Sequence, residues 1–450
     1  MRTFDPLSSP LLTDLYQLTM LQGYFVSGMN GVASFELFVR RMPRDRAFLV
    51  AAGLESVLEY LENLRFGEPE LGWLKRCGLF RSDFIDWLGA LRFDGMVEAM
   101  EEGTIFFANE PILRITAPIS QAQLIESRIV NIMHFQSLLA SKAARSVLAA
   151  PKKRLIEFGM RRAHGAEAAL FAARAAYLVG FQGTSVALAE ATYGIPAFGT
   201  MGHSFVQAHH DEAAAFLAFA RTFPQNAILL IDTYDTELAA HKVVEVAQTL
   251  AQEGITIRGV RLDSGDLLAL SRSVRAILDA GGLSGAIIFA SGNLDEHRIA
   301  ALERDAAPID AYGIGTALVT SADAPSLDMV YKLQELDGAA KRKRSPGKAT
   351  WPGRKQVFRF FDSHGRFAHD EVTLMSDHRH GEPLLRPVMR DGRRLRPMIP
   401  LESNRAFAMQ SLEQLPANLR ELNVEYQLYH VAIGQSVRDL ADAVDQGMMA

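Results

Sequence analysis

Cysteine is nearly missing from this chain: its 450 residues include one, Cys77. A single thiol forms no internal disulfide, so the fold must rest on burial, and such sparing use of cysteine fits a reducing cytoplasm. A large charge of either sign is also lacking. The net charge of -5 excludes a broadly basic nucleic-acid-binding surface and confines any anion site to a local group of cations. Long apolar runs are absent too. The stretch nearest to one, residues 165–181, carries Glu167 and Arg174, which argues against a membrane span and for a helix packed through small residues. At the N-terminus, Asp5 and Asp14 break the cationic-then-apolar order of a signal peptide. Internal repeats and low-complexity segments are missing as well.

Enough remains to build large cores: 48% of the residues are hydrophobic and 22% charged. A chain of this length exceeds one ordinary core, which implies two domains or an elaborated barrel. Polar chemistry is gathered behind apolar strands in the middle of the chain. Residues 257–262 read as a buried strand ending in Arg261-Leu262, followed by Asp263-Ser264-Gly265-Asp266 and a helical run over 267–280. The same order recurs where 227–231 enters Asp232-Thr233-Tyr234-Asp235, where 286–290 enters Ser291-Gly292-Asn293, and where 309–312 enters Gly313-Ile314-Gly315-Thr316. With further strands at 154–158 and 197–199, this alternation implies an α/β region over 151–330 with a mainly parallel sheet, and in a closed (β/α) barrel such strand-end loops converge on one face.

The flanks differ in pattern. Residues 1–150 are expected to form a mixed α+β domain with a small mixed sheet, completed by 331–450. Strands are expected at 32–39, 96–101, 105–107 and 112–115, and a long helix after Leu124 with Ile125, Ile129, Ile132, Leu139, Ala143 and Val147 on one stripe. Residues 356–361 read as a strand returning to this domain, and 411–449 as helical. Lys341-Arg342-Lys343-Arg344 reads most simply as a solvated basic loop.

Several residues could carry chemistry, each with a plainer role beside it. Gly313-Ile314-Gly315-Thr316 offers unobstructed backbone N–H groups, either a tight turn or a phosphate cradle. Asp266 is best placed to cap the following helix, whereas Asp263 at the strand end can accept from sugar hydroxyls or hold a metal through water. Arg261, inside the strand, needs an anionic partner, and a phosphate would supply one. His203 follows a strand and opens a helical run through Ala220, so it reads either as a structural side chain or as a ring beside a bound anion. His209 and His210 lack the spacing of a zinc pair. Phe158-Gly159-Met160-Arg161 sets an aromatic ring and a cation at another strand end, as core and surface or as a ligand site. The strand ends from Asp232 to Thr316 contain no lysine, which argues against a Schiff-base lyase. A barrel that only senses a nucleotide remains the non-catalytic alternative.

The stretches Leu12-Thr13-Asp14-Leu15-Tyr16-Gln17, Glu157-Phe158-Gly159-Met160-Arg161-Arg162, Gly199-Thr200-Met201-Gly202-His203-Ser204, Arg261-Leu262-Asp263-Ser264-Gly265-Asp266, Tyr312-Gly313-Ile314-Gly315-Thr316 and Gly347-Lys348-Ala349-Thr350-Trp351-Pro352-Gly353 together resemble the nicotinate phosphoribosyltransferase family, among the type II phosphoribosyltransferases. The resemblance implies an irregular (β/α) barrel beside a mixed α+β domain made from both ends of the chain, and a head-to-tail homodimer with shared active sites. It further implies that nicotinate and phosphoribosyl pyrophosphate give nicotinate mononucleotide and pyrophosphate, with Mg2+, and with ATP hydrolysis coupled through a phosphohistidine. Carried onto these motifs, His203 is the phosphorylated residue, Asp232 the acid holding its ring, Asp263 a ribose contact and Arg261 a phosphate contact. Gly313, Gly315 and Thr316 belong to the 5′-phosphate site, with Ser291, Gly292 and Asn293 nearby. Tyr16 of a neighbouring subunit and Phe158 sandwich the pyridine, and Arg161 faces the ligand. Ser185 stands where a nicotinamide-using relative carries aspartate, and the missing carboxylate favours an acid substrate over an amide.

Overall fold

Apolar residues spaced two apart build one half of the molecule, and strand-helix alternation builds the other. The computed structural model describes residues 7–422 and 429–447. Two units emerge, Met1–Leu138 with Ser326–Ala450, and Leu139–Pro325. The division falls inside the long helix Glu126–Ala149, whose stripe from Ile129 to Val147 is buried. Among the described residues, no helix is long and apolar enough to cross a membrane.

The first unit contains a seven-stranded sheet. Its centre is Val32–Val39, antiparallel both to Pro111–Pro118 and to Met329–Leu336. Every pairing in this sheet is antiparallel, so it is not the mixed sheet expected. The mixed one is separate: Lys355–Phe361 lies between Phe367–Leu374 and Glu382–Pro383, and Val431–Ile433 adds to Phe367–Leu374 in parallel. That last strand also corrects the helical reading of 411–449, whose described residues hold the end of helix Leu401–Glu413, a short 3-10 turn, a strand and helix Gln435–Asp445, while 423–428 and 448–449 lie outside the described residues. Strand pairing with a distant partner overrides the local pattern.

Charges are buried inside this unit. Glu36 and Glu98 sit opposite Arg114 on the two adjacent strands, and Arg114 lies 2.6 Å from Glu98 and 3.5 Å from Glu36. Lys355 reaches Glu36 at 2.7 Å, and burial pulls its ammonium below the usual lysine range against the pull of that carboxylate. Removing a partner from such a set strands an uncompensated charge.

In the second unit we number the strands β1 (Arg154–Glu157), β2 (Gly183–Thr184), β3 (Ile228–Leu230), β4 (Gly259–Leu262), β5 (Ile287–Ala290) and β6 (Ala311–Ile314). They form one parallel sheet in the order β2-β1-β6-β5-β4-β3. The expected strand at 197–199 is reduced to a single parallel bridge from Ala197 to Thr184. Beyond it the sheet curls round, because Asn226, just before β3, donates to the Gly199 carbonyl at 3.0 Å. The sheet's two edges thus meet through loops rather than a ladder, which accounts for the irregularity of the barrel. Aspartates then stop the loops and start the helices: Asp235 accepts from the Leu238 N–H, Asp266 from those of Leu268 and Ala269, and Asp295 from that of Arg298. Asp266 is therefore the helix cap that its place in the sequence predicts.

Arg114→Met should cost the first unit about 3–5 kcal/mol by leaving Glu98 without its cation in a buried site, while Glu36 keeps Lys355. Denaturant unfolding checks this, and an unchanged midpoint would show that the three groups are not coupled.

Candidate active site

The strand-end loops of the second unit bring together residues far apart in the chain. His203 begins the helix His203–Gln207, and its Nε2 lies 3.3 Å from Asp232 Oδ1, just past β3. The Asp232 side chain is 1% exposed, that of His203 41%. The other Asp232 oxygen accepts from the Asp263 backbone N–H at 3.2 Å and from the Ser264 hydroxyl at 2.5 Å. One carboxylate thus binds three loops, those after Ala197, β3 and β4. The helical run expected from His203 to Ala220 is broken, however. It ends at Gln207, and Asp211 caps a new helix, Glu212–Thr222, leaving His209 and His210 in the turn between.

Beside this pair, Arg261 is held on every side. It donates through Nε to Ser291 at 2.9 Å, through one terminal nitrogen to the Thr200 hydroxyl and the Met201 carbonyl, both at 3.4 Å, and through the other to Asp263 at 2.9 Å. The Ser291 hydroxyl donates to that same Asp263 oxygen at 2.6 Å. The anionic partner that Arg261 needs is therefore Asp263, within the protein, and four of its five N–H donors are used. Its guanidinium also lies 5.5 Å from the centre of the Phe158 ring, a cation–π distance. Phe158 in turn meets Phe289 edge-on at 5.3 Å.

Two glycines permit this density. Gly292 has φ +88, and a Cβ there would fall 1.9 Å from the Asp263 carbonyl oxygen, so only glycine lets the loop after β5 pass the loop after β4. Asn293 follows at φ +50, a conformation asparagine tolerates. Gly313, read from sequence as a loop residue, lies within β6. Its missing side chain makes room for Phe158, whose ring would stand 2.8 Å from a Cβ. Gly315 and Thr316 do form the loop, with Thr316 opening the short helix Thr316–Val319, and a Cβ on Gly315 would sit 3.0 Å from the Phe158 carbonyl oxygen.

Residues 11–134 match the model of the nicotinate phosphoribosyltransferase (NAPRTase) N-terminal domain, and residues 153–349 that of the NAPRTase family. The chain belongs to the nicotinate phosphoribosyltransferase family. It is 49% identical over 428 residues to nicotinate phosphoribosyltransferase pncB2 of Mycobacterium tuberculosis (strain ATCC 25618 / H37Rv), spanning 95% of this chain and 92% of that one. Against the Bacillus subtilis (strain 168) nicotinate phosphoribosyltransferase it is 40% identical, across 82% of this chain and 77% of the relative. The crystal structure of human nicotinic acid phosphoribosyltransferase superposes with a TM-score of 0.86 at 30% identity, covering 96% of this chain and all of the other.

The remaining residues singled out by their likeness to the nicotinate phosphoribosyltransferase family fall at several places. Arg161 is exposed in a short 3-10 turn after β1 and makes no hydrogen bond or ion pair with the described residues. Ser185 is exposed after β2, its N–H donating to the Glu157 carbonyl at 2.8 Å. Tyr16 lies in the first unit on helix Leu15–Val26 and is 48% exposed. Partial burial, with Glu126 and Asp14 nearby, holds its phenol above the usual range. Ser264, Thr200 and Glu157 were not assigned roles from the sequence. Glu157 had a usable signal: a carboxylate closing the apolar strand Leu155-Ile156.

Glu157 is fully buried, and burial raises its carboxyl above its ordinary 4.5 although the Thr184 hydroxyl and the Gly159 N–H pull it down. A carboxyl raised in the fold contributes stability that is complete below the unfolded pKa and is lost as pH climbs through the folded one. Glu157→Gln should therefore gain stability relative to the wild type as pH rises from the ordinary carboxyl range through the raised folded pKa. Paired thermal melts across that range test it, and a constant difference would contradict the shift.

Proposed function

We propose that this chain transfers the phosphoribosyl group of phosphoribosyl pyrophosphate to nicotinate, giving nicotinate mononucleotide and pyrophosphate, and that ATP hydrolysis is coupled to the transfer through phosphorylation of His203. The observation that carries the coupling is the 3.3 Å approach of His203 Nε2 to Asp232. With the Nε2 proton directed to that carboxylate, Nδ1 presents its lone pair. Nδ1 then attacks the terminal phosphorus of ATP. The N–P bond forms as the P–O bond to ADP breaks, and Asp232 steadies the imidazolium so produced. Asp232 can hold this role because Ser264 and the Asp263 N–H fix its other oxygen.

The transfer itself needs no general base, since the pyridine nitrogen already has a lone pair for C1′ of the sugar. Orientation and charge do the work. Phe158 offers a ring face, with Tyr16 of a second copy as the opposing one, which makes a homodimer with shared sites part of this reading. Arg161, exposed and unpaired, suits the nicotinate carboxylate. The last N–H of Arg261 is available to phosphate, and the first turn of helix Thr316–Val319 leaves backbone N–H groups without helical acceptors for the 5′-phosphate. Mg2+ would arrive with the pyrophosphate and neutralise it. Asp263 fits such an ion, because Arg261 and Ser291 both engage one carboxylate oxygen and the other is left for ribose hydroxyls or metal-bound water. The lone thiol, Cys77, suits a cytoplasmic setting.

Incubation with labelled ATP should leave acid-labile phosphate on the wild type and none on His203→Ala. Asp232→Asn should retain less than about a hundredth of the labelling rate, since the lost carboxylate is a charged hydrogen-bond partner of the ring. Label persisting on His203→Ala would end this assignment. In a second test, Ser185→Asp should raise the KM for nicotinate by about tenfold or more and shift preference toward nicotinamide. Paired assays of the two pyridines read the outcome, and an unmoved preference would detach Ser185 from selectivity.

A further inference from the structure

Glu157 touches both loops that carry the pyridine-facing residues. Its Oε1 accepts from the Gly159 N–H, in the turn between Phe158 and Arg161. Its Oε2 accepts from the Thr184 hydroxyl at 2.5 Å, and its backbone carbonyl accepts from the Ser185 N–H at 2.8 Å. The Thr184 hydroxyl is itself fixed, because it accepts from the Val186 N–H at 3.0 Å and so has its proton to give to Glu157. Both side chains are fully buried. Buried in this way, a carboxylate with two donors aimed at it has little freedom to move, and a loop bonded to it inherits that rigidity.

We infer that Glu157 and Thr184 form a clasp that holds the Phe158–Arg161 turn and the Ser185 loop at one spacing, so that the pair acts on the recognition of nicotinate without touching it. Glu157 is thus a positioning residue. Among the described residues the Glu157 and Thr184 side chains make no hydrogen bond to Arg261, Ser291 or the His203–Asp232 pair, so the loss of the clasp should be felt most by one substrate. This inference rests on nicotinate being the acceptor.

Steady-state kinetics of the full chain with nicotinate, phosphoribosyl pyrophosphate and ATP varied in turn provide the test. Thr184→Val keeps the shape and removes the proton, and should raise the KM for nicotinate about tenfold, the scale of one hydrogen bond to a charged group. The KM values for the other two substrates should stay within about twofold. Thr184→Ser restores the hydroxyl and should recover most of the loss. Glu157→Gln keeps an acceptor for Gly159 but not the pairing with Thr184, so the double variant Glu157→Gln with Thr184→Val should be no worse than the more affected single one. Hydrogen exchange at residues 158–162 and 184–187 should quicken in Thr184→Val. An unchanged nicotinate KM, a parallel rise for all three substrates, or additive effects in the double variant would each overturn the clasp while the wild type still forms mononucleotide. A wild type that forms none would refute the acceptor reading, and the clasp's role with it.

Discussion

The buried carboxylate of Asp232 is the interaction on which the site depends. A charge so removed from water is tolerable only when its oxygens are met by donors, and here the donors come from two other loops, so that three are joined. One oxygen faces His203, and the other takes the Asp263 N–H and the Ser264 hydroxyl. The desolvation that makes Asp232 costly alone makes the three loops converge. A nearly enclosed acceptor also orients an imidazole better than a solvated one, because little competing water surrounds it. The arrangement that stabilises the loops is therefore the one that orients the His203 ring.

Next to it, Arg261 acts as a platform. Seen as a lone cation in a strand, it called for a phosphate, yet Asp263, Ser291 and the Thr200-Met201 segment already occupy most of its donors. It holds Asp263 and the Thr200 loop in register and keeps one N–H unused, with the Phe158 ring centre 5.5 Å away. Gly292 lets the loop after β5 cross within contact of the Asp263 backbone, and Gly313 lets the Phe158 ring lie against β6. In both places the missing Cβ brings one loop against another, which is a different service from the phosphate cradle that a glycine-rich loop suggests.

Much of this was legible in the residues themselves. Apolar strands running into polar loops marked β3 to β6 and the direction of the sheet, and Asp266 was readable as a cap from its place before a helical run. The pairings of short strands were less accessible. Gly183–Thr184 is two residues long and carries no periodic signal, while Val431–Ile433 joins a sheet through a partner some sixty residues earlier. Edges and registers of this kind are decided by non-local hydrogen bonds that leave little trace in a short window. The break between His203 and Ala220 was hidden for a related reason, since Asp211 is an ordinary surface residue until its side chain is seen to cap Glu212–Thr222.

By itself, then, the sequence determined the α/β class of the middle segment, the side of the sheet on which chemistry gathers, and the identity of the histidine, aspartates, arginine and serines available there. These follow from local periodicity and from the cost of placing polar residues at the ends of buried strands. Only the tertiary structure decided which of them meet: that Asp232 serves His203 and Ser264 together, that Arg261 finds its counter-charge in Asp263, and that Glu157 joins Gly159 to Thr184. The contacts of Arg261 with Asp263 and of Glu157 with Gly159, two residues apart, depend on how the chain turns at a strand end. Those of Asp232 with His203 and Ser264, and of Glu157 with Thr184, depend on the curl of the sheet and join loops about thirty residues apart, distances over which a one-dimensional pattern carries no geometry.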